Sequence, residues 1–414
     1  VENASFMPWL LGTALVHSIT VQDRRRMLHA WNIFLVISTF SLSLLGTFLV
    51  RSGVLSSVHA FAVDPGRGAY ILAFMTIVLT VSFGIFMAKG RYQQAEETIT
   101  SLLSRESLFV WNNVLFTVAC ASVLLGTLYP LALDAFSGQK ITVGAPYFNA
   151  VMVPIFLVII LLMAVGPLVP WRKVNLERLR QRLLWPFIIG VAAAVAMLVF
   201  LPPVHWTGPA ATGLAIFTFA SLMTDFLRAV RQRRQQLKEA FGRASLRTVL
   251  GNRRHYGGMI VHFGIVIIAL GLIGSGLFRS EEMVSMAPGD VVEVAGERLR
   301  FEGIEMFHRD NYDAIQGRLT LLNSGRLSTP ERRRYPRQET PMTETSIDST
   351  MLRDVYVVLA ESSDKDKWAV HIYVNPLVRF IWTGGAIILS GLFLSLSSQR
   401  RRESKVPAGA QVAK

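Results

Sequence analysis

Cysteine and charged residues are scarce in this sequence. Cys120 is the single cysteine among 414 residues, which excludes a disulfide framework, a CxxC redox pair, a cysteine zinc site and a CxxCH haem attachment site. Charged residues make up 17% of the chain, whereas soluble domains carry about 25%. Hydrophobic residues make up 51%, and the mean hydropathy is +0.41. These values exclude a soluble enzyme and indicate a membrane protein.

Apolar runs long enough to cross a hydrocarbon core about 30 Å thick recur along the chain. They lie at about 4–20, 31–50, 69–88, 108–128, 147–169, 183–201, 208–227, 256–278 and 377–396. They predict nine transmembrane helices. The loops predicted on one side of the membrane, together with the tail after 396, hold 25 lysines and arginines, whereas the short loops predicted on the other side hold 3. The positive-inside rule therefore predicts Val1 outside and Lys414 in the cytoplasm, and explains the net charge of +14 without nucleic acid.

Residues 279–376 form a loop too long and too polar to be a simple connection. Hydrophobic and polar residues alternate in VVEVAGERLRFEGIEMF, GRLTLLNS, VYVVLAES and WAVHIYV, and this period of two is typical of half-buried strands. We therefore predict a polytopic α-helical membrane protein with a small periplasmic β domain. The predicted parts are a bundle of eight spans (1–278), the β domain (279–376), a last span (377–396) and a basic tail (397–414). The run RAVRQRRQQLKEAFGRASLR predicts one basic amphipathic helix.

Two histidines lie inside predicted spans, where ionisable residues are costly and rare. His17 precedes the cytoplasmic Asp23, and His262 follows Arg254, so both are expected about 5 to 12 Å inside the cytoplasmic boundary. Small residues accompany the two rings and are expected to leave room for a flat group: Thr13, Ala14, Gly258 and Gly264.

The matched depth of these histidines leaves two interpretations open. Neutral imidazoles from two facing helices hold haem iron in helical bundles. This interpretation predicts a gap between the helices and α-carbons about 11 to 14 Å apart. In the alternative interpretation each histidine packs and hydrogen-bonds against a neighbouring helix.

Five further residues are candidate site positions. His59 lies in the apolar outside loop 51–68 between Arg51 and Arg67, an arrangement that suits an axial haem ligand with arginines for the propionates. A histidine without a function is the alternative. Asn112 and Asn113 are expected near the depth of the transmembrane histidines, either in interhelical hydrogen bonds or in support of a metal-ligating histidine.

Long blocks of the sequence resemble a known family. VENASFMPWLLGTALVHS, GTFLVRSGVLSSVHAFAVDPGRG, SRESLFVWNN, MIVHFGI, MTETSIDSTMLRDVYVVLAE and WAVHIYVNPLVRFIWTGG follow in order along the whole chain. They are similar to the CcmF family, the haem lyase subunits of bacterial cytochrome c maturation, with its NrfE-type relatives. The resemblance implies an inner-membrane protein that receives haem from a periplasmic chaperone and attaches it to the CxxCH cysteines of apocytochrome c.

The resemblance also implies roles for individual residues. His17 and His262 match the pair that ligates a transmembrane haem b, and His59 matches one of two periplasmic ligands of the incoming, transient haem. The other periplasmic histidine and the tryptophan-rich WWD segment belong before Val1 in the family. The chain is therefore expected to be a fragment that does not complete the reaction alone.

The implied partners are the haem chaperone CcmE, the apocytochrome-handling CcmH and CcmI, and apocytochrome c. Two other functions remain alternatives: a haem transporter with the membrane histidines as way stations, and a non-catalytic assembly scaffold. A transporter needs polar residues along the full depth of a path, whereas His17 and His262 are predicted in one leaflet. This argues for a fixed site.

Overall fold

The computed structural model describes residues 2–52, 65–89, 99, 101–202, 205–336, 340–364 and 367–397. Among them are ten α-helices: α1 Glu2–Arg25, α2 His29–Arg51, α3 Pro65–Lys89, α4 Arg105–Ser137, α5 Ala145–Val165, α6 Leu176–Phe200, α7 Thr207–Leu237, α8 Phe241–Gly251, α9 Arg253–Leu277 and α10 Val378–Leu396. Within these described ranges nine helices, all except α8, are long and apolar enough to cross a membrane. The predicted number of spans is confirmed, and several helices are longer than their apolar runs because polar turns extend them.

The chain forms two compact units, residues 1–188 and 189–414. In the first unit α1 packs against α2 and α4, α2 against α3, and α4 against α5. Its core is formed by buried side chains of α1, α2, α4 and α5: Met7, Leu10, Leu11, Ala14, Leu35, Leu42, Phe116, Ala119, Cys120, Val123 and Ile159. Ser104 caps α4 by accepting a hydrogen bond from the Ser107 amide, which satisfies a backbone donor at the helix start.

The second unit contains a very close antiparallel pair of helices, α9 and α10. Gly257, Gly264 and Gly271 recur every seven residues on α9, and Gly384 and Gly391 do so on α10. A Cβ on Gly264 would lie 2.7 Å from the Gly384 carbonyl oxygen, and one on Gly391 would lie 2.7 Å from that of Gly257. Small residues thus let the two backbones touch, as is common between membrane helices.

In the polar segment between α9 and α10, the residues that the structure describes form a β-sandwich with ten strands. They are β1 Ser280–Met286, β2 Val291–Val294, β3 Glu297–Arg309, β4 Tyr312–Leu321, β5 Arg326–Ser328, β6 Glu331–Arg334, β7 Met342–Glu344, β8 Ser346–Ser349, β9 Arg353–Asp364 and β10 Lys367–Pro376. One antiparallel sheet has the order β1-β10-β9-β8, and the other β2-β3-β4-β6-β7 with β5 beside β4. The predicted fold class, a multispan helical protein with a β domain, is confirmed; the predicted division of the chain at 278, 376 and 396 stays a prediction.

The core of the sandwich follows the predicted alternation. Leu299, Phe301, Leu319 and Leu321 of one sheet meet Val355, Val357, Leu359, Val370, Ile372 and Val374 of the other. Gly303 has φ +127 and lies at a register shift in β3, which is a position that only glycine adopts without strain. The alternation in VVEVAGERLRFEGIEMF is therefore interrupted by a bulge after Phe301.

The basic segment after α7 differs from its prediction. Instead of one amphipathic helix, α7 ends at Leu237 and α8 begins at Phe241. Lys238 has φ +49, a left-handed conformation that stops an α-helix. Glu239 then accepts from Arg233 of α7 at 2.9 Å and from Arg247 of α8. These two ion pairs stabilise the corner between the helices, and the hydrophobic periodicity of the sequence does not indicate them.

Candidate functional site

The ring of His17 is oriented by its own helix. Nδ1 lies 2.8 Å from the carbonyl oxygen of Thr13, one turn earlier in α1. Because a carbonyl only accepts, Nδ1 must carry the proton, and in a neutral imidazole Nε2 then holds the lone pair. A hydrogen bond from one ring nitrogen to a backbone carbonyl is also the usual support of a metal-ligating histidine. His17 therefore has the tautomer that suits a metal ligand through Nε2.

Two phenylalanines of α4 flank the same ring. The centroid of Phe116 lies 6.2 Å from that of His17 with an interplanar angle of 15°, and the centroid of Phe109 lies 5.7 Å away at 39°. They are seven residues apart and so share one face of α4. Phe116 is buried in the core of the first unit. The pair restricts rotation of the imidazole and keeps its surroundings apolar.

Of the two small residues before His17, Ala14 does not have the predicted function, whereas that of Thr13 stays a prediction. Ala14 is fully buried and packs in the core of α1, α2 and α4, so its size serves helix packing instead of leaving space beside the ring. The Thr13 hydroxyl donates to the carbonyl of Trp9 at 2.8 Å. The Thr13 carbonyl, by contrast, orients His17, a role that residue type alone does not indicate.

Asn113 connects two helices beside this ring. It is 2% exposed; its Oδ1 accepts from the Trp31 indole of α2 at 3.1 Å, and its Nδ2 donates to the Phe109 carbonyl at 2.9 Å. Both ends of the amide are thus occupied, and its contact with the histidine environment runs through Phe109. Asn112 is half-buried. A supporting role of either asparagine at a haem stays a prediction.

His262 lies on α9, on the side away from α10. At about 100° per residue its direction differs by about 160° from that of Gly264, and Gly264 faces Gly384 and Ile388. The expectation that Gly264 leaves room beside His262 is therefore wrong, because α10 fills the space over Gly264. Gly258, one turn before His262, does have space, since an added Cβ would meet no described atom within 4 Å.

The structure gives less information about the other predicted site positions. His59 lies outside the described residues. Arg51 ends α2, Arg67 lies in the first turn of α3, and both are exposed. His17 and His262 belong to different units of the chain, so their predicted approach, and the gap between them, stay predictions.

A buried ion pair that the sequence analysis missed connects the ends of α1 and α4. Arg25 and Glu106 are 5% and 0% exposed, with Arg25 Nη2 3.5 Å from Glu106 Oε1. Glu106 Oε2 also accepts from the backbone N–H of Arg172 at 3.1 Å. Because Arg25 lies eight residues after His17 and Glu106 three before Phe109, the pair holds the two helices in the register that brings the rings together. The only local signal was charge at the two helix ends.

The neighbouring Arg105 ties the start of α4 to the chain after α5. Its Nε donates to the Val169 carbonyl and its Nη2 to the Pro167 carbonyl, both at 2.7 Å. Its guanidinium lies 5.6 Å from the ring centroid of Trp171, which in turn is 5.9 Å from Phe109. Hydrogen bonds and ring contacts therefore extend from the end of the bundle to the ring beside His17.

Comparison with known proteins connects this arrangement to a family. Residues 277–376 match the family described as CcmF C-terminal beta-sandwich. The chain is 40% identical over 405 residues to the cytochrome c-type biogenesis protein CcmF of Pseudomonas aeruginosa, covering 97% of this chain and 60% of that protein. With the CcmF of Escherichia coli the identity is 37% over 413 residues, covering 98% and 61%.

A solved structure of a cytochrome c heme lyase CcmF is also similar. It superposes with a TM-score of 0.74 and 27% sequence identity, covering 95% of this chain and 59% of that one. The chain thus spans about 60% of the length of the relatives that it matches. The resemblance inferred from the sequence blocks is confirmed: residues 277–376 match the CcmF C-terminal beta-sandwich family, and nearly the whole chain is similar to CcmF cytochrome c-type biogenesis proteins.

Proposed function

We propose that this chain is the haem-holding part of a membrane haem lyase that attaches haem to the CxxCH cysteines of apocytochrome c. Its relatives are named cytochrome c-type biogenesis proteins, and the similar solved structure is named a heme lyase. Because the chain spans about 60% of their length, the complete reaction is proposed for the chain together with the rest of such a protein.

The orientation of His17 is the observation that carries this proposal. Its Nδ1–H bond to the Thr13 carbonyl puts the lone pair of the neutral ring on Nε2, the atom through which iron would be bound, and Phe109 and Phe116 flank the ring. His262 supplies the second imidazole, and Gly258 beside it has space for part of a flat ring. His17 and His262 would hold a b-type haem through their imidazoles, and the haem would supply an iron centre able to hold one electron.

The chemistry requires little of the protein in acids and bases. In thioether formation the sulfur of a cysteine thiol bonds to one carbon of a haem vinyl group and the hydrogen goes to the other, so the addition is redox-neutral. The protein holds haem through histidines, orients it at the membrane surface and keeps water out. His59 is the proposed ligand of this substrate haem, and Arg51 and Arg67 the proposed partners of its propionates.

Localisation and partners follow from the same proposal. The charge asymmetry of the loops supports an inner-membrane protein with residues 279–376 in the periplasm and the C-terminus in the cytoplasm. The β domain is then a docking platform for the haem chaperone CcmE, for CcmH and CcmI, and for apocytochrome c. Its deletion is expected to weaken co-purification of these partners and to leave the haem spectrum unchanged; loss of haem with all helices inserted would contradict a docking role.

The test of the haem site is a reduced-minus-oxidised visible spectrum of the protein purified in detergent. His17→Ala and His262→Ala are each expected to lose the low-spin b-type signal, because each removes one of the two imidazoles that would hold the haem. His205→Ala is the matched control: His205 is exposed and its ring contacts Thr207 near the start of α7, so the signal should remain. His59→Ala is expected to keep the b-type signal and to abolish cytochrome c maturation.

Three results would contradict the proposal. A normal spectrum for His17→Ala or His262→Ala would leave these residues as packing histidines. Normal maturation with His59→Ala would remove its role as a substrate ligand. A measured separation of more than about 20 Å between the α-carbons of His17 and His262 would be too large for one haem to bridge.

A further inference from the structure

The C-terminal end of α7 carries a positively charged cavity that the proposed haem chemistry does not use. The cavity has a volume of about 350 Å³ and is lined by Arg231, Arg234, Gln235, Lys238 and Glu239. We call it the basic corner. Its three cations are exposed, and it lies where α7 turns into α8.

The single carboxylate of the basic corner does not neutralise these cations. Glu239 is 8% exposed in its side chain and pairs with two other arginines, Arg233 and Arg247. The hydrogen bond from Arg233 is the main cause that lowers the pKa of Glu239, so it is ionised and already paired at neutral pH. In the described part of the chain no acidic side chain pairs with Arg231, Arg234 or Lys238. The corner therefore has a net positive charge available to an external anion.

The length of α7 places the corner at the level of lipid headgroups. The helix has 31 residues and so measures about 46 Å at about 1.5 Å per residue, whereas a hydrocarbon core is about 30 Å thick. The apolar part spans 208–227, which is enough to cross that core. Arg231 and Arg234 follow by about 6 and 10 Å, a depth that corresponds to the headgroup layer.

Helix α8 has the character of an interfacial helix at the same level. It connects the end of α7 to the start of α9, so it must run along the surface between two spans. Val249 packs toward the cluster of Leu222, Tyr256 and Met259. Leu246 and Leu250, one turn apart, remain 60% and 40% exposed. A helix with arginines beside exposed leucines lies in a membrane interface with its apolar side chains in the acyl boundary.

We propose that the basic corner binds the headgroup of an anionic phospholipid, with its phosphate between Arg231, Arg234 and Lys238 and its acyl chains beside Leu246 and Leu250 of α8. Charge complementarity and exposed leucines at the bilayer boundary favour a lipid over a small soluble anion, which would gain nothing from the leucines. The ion pairs of Glu239 hold the corner open before a lipid binds, so little ordering is required on binding. This inference is independent of the haem proposal.

The test uses the full chain in nanodiscs of phosphatidylcholine with or without phosphatidylglycerol, and native mass spectrometry counts the phosphatidylglycerol molecules retained. Arg231→Gln/Arg234→Gln/Lys238→Gln is expected to weaken retention by about fivefold per charge, or about 100-fold in total at low salt. The matched control, Arg178→Gln/Arg180→Gln/Arg182→Gln, removes the same charge from exposed residues near the start of α6 and should retain the lipid.

A second variant and a wild-type measurement keep the test decisive if the triple variant inserts poorly. Leu246→Ser/Leu250→Ser keeps every charge and should also weaken retention, and wild-type retention should fall as salt shortens the Debye length. Equal losses in the corner and control variants would overturn the proposal in favour of general surface charge. Displacement by inorganic phosphate would overturn the lipid as occupant. Unchanged retention in the corner variant would also overturn the proposal, because the lipid would then be held elsewhere.

Discussion

The close contact of α9 and α10 allows a prediction with an internal control. Gly384→Ala would place a Cβ 2.6 Å from the Gly264 carbonyl oxygen and 2.6 Å from a side-chain carbon of Ile268. Its sequence neighbour Gly385 has no described atom within 4 Å of the same added group. Both substitutions occur in the middle of one helix, so the gain in helix propensity from glycine to alanine, about 1 kcal/mol, is common to both.

The difference between the two variants therefore measures the steric term. Restoring ordinary contact at Gly384 requires the helices to separate by about 0.5 to 1 Å, and such a gap forfeits a quarter to a half of each dispersion contact that it opens. Overpacking of this kind costs about 1 to 3 kcal/mol. We expect Gly385→Ala to be neutral or stabilising by up to about 1 kcal/mol, and Gly384→Ala to be less stable than it by about 1 to 3 kcal/mol.

The assay is unfolding by sodium dodecyl sulfate in mixed micelles, followed by far-ultraviolet circular dichroism. The Gly264→Ala/Gly384→Ala double variant adds a check, because both substitutions act at one crossing point and should cost less together than the sum of the single effects. Equal unfolding midpoints for Gly384→Ala and Gly385→Ala would refute the direct contact of the two backbones, and with it the placement of His262 on the opposite side of α9.

Three further predictions concern ion pairs. Arg353→Met removes the partner of two largely buried carboxylates in the β domain and should destabilise that domain in the full chain by about 2 to 4 kcal/mol. Arg300→Met, in an exposed pair, should change the free energy of unfolding monitored by proteolysis by less than about 0.5 kcal/mol. Equal effects of the two substitutions would contradict the difference in burial. Burial raises the pKa of Asp348, but hydrogen bonds from Arg326 and Arg353 outweigh this effect and leave the pKa below its ordinary value of 3.8. The stabilisation of the β domain by Asp348 is therefore complete above that value and is lost as the pH falls through the lowered pKa. If an Asp348→Asn variant were equally sensitive to acid, the carboxylate would not be responsible. Arg105→Met should lower the apparent free energy of unfolding by about 2 kcal/mol, because two carbonyls lose a charged donor; an unaltered midpoint in the same detergent titration would argue against the connection of α4 to the chain after α5.

Local patterns were enough for the elements of this fold. Spans and strands depend on the hydrophobic periodicity of neighbouring residues, so nine helices and the alternating strands of the sandwich were predicted with their order. The break after Leu237 was missed because it depends on Glu239 joining Arg233 and Arg247, contacts between residues up to eight positions apart that leave no period in the sequence. The bulge at Gly303 likewise depends on pairing with β4.

The candidate site likewise has features that the sequence alone indicates and features that only the folded chain shows. Composition and depth selected His17 and His262, because an ionisable side chain in an apolar run is visible in the sequence alone. Which face of each helix meets which partner was decided only in the folded chain: Gly264 faces α10, and Ala14 packs in the core of the first unit. The sequence determined the elements and the polar residues within them because these follow from local hydrophobicity. Only the tertiary structure decided that the Thr13 carbonyl and two rings of α4 orient His17, because helices of similar apolar surface choose their partners through contacts between residues far apart in the chain.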